Sequence, residues 1–175
     1  MSAPAPAPPA HPALSGALFR RWGGARPSGI AAVRHRRNVT RARMAFALAL
    51  ADMGAGPGWR VLMPAYHCTA LVEPVVHRGA EPVWFRVNAD LTPDWDDVEA
   101  KAAGARAVVA IHYFGFPQDM DRWRSLADRH GLVLVEDCAH ALYGTCGGRP
   151  LGAHGDYAIA SFWRFQPVRD GGCLA

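Results

Sequence analysis

Two hydrophobic periods alternate along the chain from residue 41 onward. RARMAFALALADMG, residues 41–54, is rich in alanine and leucine, ends at a glycine and predicts a helix. RVLMP is a short apolar strand closed by Pro64. CTALVEPVVHRG predicts a second helix, kinked or frayed at Pro74 and stopped by Gly79. EPVWFRV is the next strand. TPDWDDVEAKAAG carries a helix start, with Thr92 as N-cap, Pro93 at the first helical position and acids in the first turn. RAVVAIHYF and GLVLVED are nearly continuous apolar runs on either side of a helical QDMDRWRSLADRH. DYAIASF supplies one more strand and GGCLA begins another.

Strands that are apolar on both faces and separated by helices argue for an α/β fold, a parallel sheet with helices on both sides. Ligands of such sheets collect at the carboxyl ends of the strands. That rule selects four segments that follow strands: 64–67 (PAYH), 112–115 (HYFG), 137–140 (DCAH) and 161–164 (SFWR).

Composition changes this picture in three places. Residues 1–15, MSAPAPAPPAHPALS, form an alanine-proline tract that cannot bury apolar surface, so residues 1–28 are expected to be a disordered arm. The tract lacks the charged and unbroken apolar regions of a secretory signal, and no apolar run approaches the ~20 residues of a bilayer span. A cytoplasmic protein is the expectation. The net charge of +4 is almost wholly arginine, since Lys101 is the only lysine. Much of it sits in RHRRNVTRAR, residues 34–43, where no aromatic residues interleave and no nucleic-acid motif follows. Nucleic acid is therefore not an expected partner. The four cysteines show no C-x-x-C spacing and read as ordinary reduced thiols.

Candidate chemistry concentrates at the strand ends. Asp137 closes a strand where a carboxylate is costly to bury without a cation. It can pair with a protonated ring nitrogen, or it can cap a helix begun by CAHALYG, on which His140 would share its face. A metal site of Asp137, His140, His154 and Asp156 matches no standard ligand spacing, and none is expected. Arg41 and Arg43 sit in a helical first turn, where cations are unfavourable by ~0.3–1 kcal/mol each. Either both point to solvent, or a bound phosphate reverses the sign.

Taken together, GPGWRVLMPAYHCTALVEPVVHRGAEPVWFRV, IHYFGFPQDMD, LVLVEDCAHALYG and GAHGDYAIASF followed by DGG resemble the DegT/DnrJ/EryC1/StrS family, over about residues 41–175. That family comprises pyridoxal-phosphate aminotransferases of aspartate-aminotransferase fold (fold type I), many acting on nucleotide-linked keto sugars. The resemblance implies pyridoxal or pyridoxamine 5'-phosphate as cofactor, a small carbonyl or nucleotide-sugar substrate, and a homodimer. It implies roles by position: Asp137 at the pyridine nitrogen, His140 where most members carry a glutamine near the ring hydroxyl, and Ser161 on the cofactor phosphate. Ala42 and Arg43 fall where many members hold that phosphate with a glycine-threonine pair. The residue stacking on the ring falls on Cys68, with Tyr66 and His67 as the aromatic alternatives.

The family's Schiff-base lysine follows the serine by a few residues. Arg164 stands at that position and Gln166 at the alternative offset. A guanidinium stays protonated and cannot act as an amine nucleophile or proton shuttle. Lys101 lies in a predicted surface helix far from this segment. Relatives also continue beyond the double glycine and add a small C-terminal domain. The expectation is thus a partial large domain over residues 29–175, from a truncated, split or fragmentary gene, with an unfinished sheet edge and no catalytic lysine. The alternatives are a non-catalytic dimerisation or regulatory module of the same fold, and a pyridoxamine-dependent sugar dehydratase.

Overall fold

A computed structural model describes residues 28–175; the alanine-proline tract lies outside the described residues. The chain runs β1 (Arg37–Val39), α1 (Ala42–Asp52), β2 (Arg60–Pro64), α2 (Thr69–His77), β3 (Glu81–Phe85), α3 (Trp95–Ala102), β4 (Ala107–Ile111), α4 (Met120–His130) and β5 (Val133–Asp137). It continues with a two-stranded ribbon, β6 (Thr145–Cys146) and β7 (Arg149–Pro150), then β8 (Tyr157–Ser161) and β9 (Gly172–Leu174). The main sheet has the order β1-β9-β8-β5-β4-β2-β3. β2, β3, β4, β5 and β8 are parallel, whereas β9 runs antiparallel to β8 and β1 antiparallel to β9.

Alternation along each strand divides the core between the two faces. On one side α1 and α2 pack Phe46, Leu50 and Val75 against Val61, Met63, Val109, Val135 and Ile159. On the other, α3 and α4 pack Val98, Trp123 and Leu126 against Leu62, Val108 and Leu134. Beside them Ile30, Leu142 and Leu151 cover Ala158 and Ala160 of β8. β4 is buried at all of its positions, the pattern of a central parallel strand. Among the described residues no helix is long and apolar enough to cross a membrane.

Three local expectations need correction. The N-cap of α3 is Asp94, whose side chain accepts the Asp97 N–H at 3.1 Å; Thr92 instead donates its hydroxyl to Asp90 at 2.6 Å. Pro93 consequently precedes the helix and bridges to Val87. CAHALYG forms turns rather than a helix, because Asp137 Oδ1 accepts the N–H of Ala139 at 2.8 Å in a tight local turn. As expected, α2 runs through Pro74 and ends at His77, two residues before Gly79. β1 and the β6–β7 ribbon carried no sequence signal, being three and two residues long. β1 pairs along β9, so the sheet ends there on a polar, exposed strand rather than on an apolar edge.

Candidate cofactor site at the strand ends

The loops after β2, β4, β5 and β8 surround two adjoining cavities. One, of about 270 Å³, is lined by Tyr66, His67, Cys68, Tyr113, Phe114, Asp137, His140 and Arg164. The other, of about 250 Å³, is lined by Arg41, Ala42, Arg43, Cys68, Asp137, Ser161, Trp163 and Arg164. Cys68, Asp137, Ala139 and Arg164 border both. Ala42, Arg43, Tyr66, His67, Cys68, Asp137, His140, Ser161 and Arg164 lie on these walls, whereas Gln166, His154 and Asp156 do not.

Asp137 is 8 % exposed, and among the described residues its carboxylate accepts one hydrogen bond, from Ala139. Burial pushes its carboxyl above the usual carboxylate range, offset only in part by the Ala139 N–H and the Arg164 guanidinium. His140 packs its ring on Phe114, with centroids 5.6 Å apart and planes 18° from parallel. Its Nδ1 is buried without a hydrogen-bond partner. Burial, followed by the field of Arg164, lowers its pKa and favours the neutral ring. Phe114 adopts φ 52°, a left-handed conformation that holds the loop over His140.

The second cavity opens on the start of α1. Arg41 is the N-cap, in extended conformation and without a side-chain cap, so the N–H groups of Ala42 and Arg43 precede the first intrahelical bond. Gly172 of β9 makes this approach possible: a Cβ there would lie 2.6 Å from the Arg41 carbonyl carbon and 2.7 Å from the Ala42 nitrogen. Ser161, 5 % exposed, faces the same space and makes no side-chain hydrogen bond among the described residues.

The arginines behave differently from the expectation of solvent or phosphate alone. Arg43 Nη1 lies 2.6 Å from Glu73 on α2, and Arg41 Nη2 lies 2.5 Å from Asp170. Each cation at the helix start thus already has a protein anion, which a sequence reading could not see because both acids are distant in the chain. The guanidinium of Arg164 lies 4.9 Å from the Trp163 ring centroid. His67 is turned flat against Trp84, with centroids 4.6 Å apart and planes 2° from parallel, and its Nδ1 donates to the Pro64 carbonyl at 2.8 Å. Tyr66 packs on Tyr113, whose hydroxyl donates to the Tyr66 carbonyl at 2.5 Å. Tyr113, Phe114 and Trp163 are wall residues without a role assigned from the sequence, although the segments selected by the strand-end rule contain all three.

A phosphorylated pyridine fits this donor set. A buried carboxylate, an orphaned imidazole nitrogen, an unpartnered hydroxyl and open helix N–H groups line adjoining cavities. Lys101, the only amine side chain in the described residues, is engaged elsewhere: its Nζ donates to Asp97 and to the Trp84 carbonyl, each at 2.8 Å.

The model of the DegT/DnrJ/EryC1/StrS aminotransferase family matches residues 30–173. The chain is 33 % identical over 141 residues to GDP-perosamine synthase of Vibrio cholerae, covering 79 % of this chain and 38 % of that protein. It is 38 % identical over 133 residues to dTDP-3-amino-3,4,6-trideoxy-alpha-D-glucose transaminase of Streptomyces venezuelae, covering 74 % and 34 %. Solved PLP-form and PMP-form structures of Spr1654 from Streptococcus pneumoniae are 26 % identical, with TM-scores of 0.75 and 0.77. They cover 80 % and 82 % of this chain and 41 % of theirs. The chain therefore spans under half the length of the relatives it matches. Its α/β sheet is of the fold type I aminotransferase kind, and the chain belongs to the DegT/DnrJ/EryC1/StrS aminotransferase family.

Proposed function

We propose that this chain is the cofactor-binding part of a sugar aminotransferase and holds pyridoxal or pyridoxamine 5'-phosphate noncovalently. The observation that carries the reading is the convergence on adjoining cavities of the Asp137 carboxylate, with one donor, His140 Nδ1, buried with none, and the Ser161 hydroxyl, with no side-chain bond among the described residues. Asp137 would hold a protonated ring nitrogen, and that cation would in turn relieve the burial of its carboxylate. His140 would meet the ring hydroxyl through Nδ1. Ser161 and the first N–H groups of α1 would hold the phosphate, with Arg41 and Arg43 adding a field already partly neutralised by Asp170 and Glu73. When bound, the cofactor supplies an electron-withdrawing ring.

The relatives' names point to a nucleotide-linked keto sugar as the amino acceptor, and a homodimer in the cytoplasm is part of the same reading. Arg164 leaves position 164 without a transferable proton, so the chain as it stands binds cofactor without turning over. Titration calorimetry with pyridoxamine phosphate tests this reading. Saturable binding that weakens in Asp137→Ala supports it, and equal affinity in both proteins removes the pocket assignment.

A further inference from the structure

Cys68 is exposed, borders both cavities and stands at the N-cap of α2, where its side chain makes no capping hydrogen bond. It shares those walls with Arg164, and one of them with Ser161, a hydroxyl nearly sealed from solvent and without a side-chain partner among the described residues. We propose that Cys68 is the covalent handle of this site, adding reversibly to the carbonyl carbon of an aldehyde ligand while Arg164 binds the oxygen. The inference rests on the pocket reading given above and adds, for an aldehyde ligand only, a reversible bond to that otherwise noncovalent hold.

The chemistry needs nothing further. The sulfur forms a bond to the carbonyl carbon, the carbon-oxygen double bond becomes a single bond, and the thiol proton passes to the oxygen. No electron acceptor is consumed and no group leaves. A guanidinium cannot itself attack a carbonyl, but it presents fixed N–H donors to an oxygen gaining negative charge. Among the groups lining the two cavities a thiol is the strongest nucleophile, and Lys101 is committed to Asp97 on α3. The other cysteines compete poorly. Cys138 and Cys173 are buried, and burial raises both thiols, that of Cys173 to about 11; Cys146 is half-buried and outside both cavities.

Two readouts on the whole chain test the inference. In the first, pyridoxal phosphate is titrated into wild type and Cys68→Ser while the absorption of its free aldehyde is followed. Pyridoxamine phosphate, which has no carbonyl, is titrated in parallel by calorimetry. The expected result is loss of the aldehyde band in wild type only, while pyridoxamine phosphate still binds saturably to both proteins. In the second, iodoacetamide labelling is mapped by peptide mass spectrometry. Cys68 should label fastest, and pyridoxal phosphate at ten times its dissociation constant should slow it about tenfold, the share of sites left free. Pyridoxamine phosphate binding without any change in the aldehyde band, or with the same change in Cys68→Ser, overturns the thiol adduct and leaves the pocket standing. Binding of neither ligand overturns both.

Discussion

Glu136 and Asp137 are consecutive on β5, face opposite sides of the sheet and have opposite surroundings. Glu136 accepts N–H groups from Gly152, His154 and Gly155 at 2.8, 2.5 and 2.7 Å, and lies 3.2 Å from Nε2 of the buried His112. His112 Nδ1 accepts the Gln118 N–H at 3.1 Å, which leaves the proton on Nε2, directed at Glu136. Asp137 has a single protein donor and opens on the cavities. One carboxylate ties two loops to the sheet, and its neighbour is left open on the cavities.

Glu136 should therefore govern acid stability. Burial alone would raise its pKa, but the His112 bond and the three backbone donors outweigh it and hold the group below 4.5. A lowered folded pKa stabilises the ionised protein above the unfolded value and loses that contribution as pH falls through the folded one. Glu136→Gln should cost about 1–3 kcal/mol for each donor left unpaired and flatten the loss of stability as pH falls below the ordinary carboxylate range. Denaturant melts of both proteins across that range check the prediction.

Asp137 has the opposite sign. Its raised pKa makes ionisation a burden on the folded chain at neutral pH, relieved as pH falls through that value. Pyridoxamine phosphate should bind through the ionised carboxylate, so affinity should fall on acidification through the same range. Asp137→Ala should weaken binding by about 1.5–3 kcal/mol and remove the carboxylate's part of that pH dependence. Calorimetry at several pH values reads both effects.

The Arg43–Glu73 pair predicts an asymmetry between its members. Both side chains are about half exposed, so breaking the pair should change stability by less than about 1 kcal/mol. Glu73→Ala frees the guanidinium beside the start of α1 and should tighten binding of a phosphorylated ligand. Arg43→Ala should weaken it and reduce its salt dependence. Equal affinities in the two variants would show that Arg43 stays outside the site.

Gly172 should not tolerate a methyl group. A Cβ there meets Arg41 and Ala42 backbone atoms below 3 Å, together with the Ala160 carbonyl at 2.9 Å. Gly172→Ala should destabilise by about 1–3 kcal/mol through overpacking and push the start of α1 away from Ser161. A thermal melt and a pyridoxamine phosphate titration, run on one preparation, test both consequences.

Arg164 lines both cavities, so an amine placed there should reach a bound aldehyde. Arg164→Lys incubated with pyridoxal phosphate and borohydride should give a stable adduct mapped to position 164. Wild type should give none near Ser161 and should not transaminate with glutamate. Absence of the adduct from a variant that still binds pyridoxamine phosphate would place position 164 away from the aldehyde.

The sequence by itself determined the sheet's parallel strands, their connecting helices and the end at which a ligand should sit. These follow from burial periodicity, which is local: β4 and β5 read as apolar runs because both of their faces are covered. The strand-end rule and the cost of burying a carboxylate singled out Asp137, and the family resemblance gave roles to it, to Ser161 and to position 164. Only the tertiary structure decided which groups are satisfied and which are left open. Glu136 and Asp137 are adjacent acids on one strand, distinguished by loop N–H groups sixteen to nineteen residues away. Arg41 and Arg43 looked like uncompensated cations until the fold brought Asp170 and Glu73 to them. His67 looked available for stacking on a ligand until β3 brought Trp84 beneath it. Pairings of this kind depend on distances between residues far apart in the chain, and no periodic pattern of single positions encodes them.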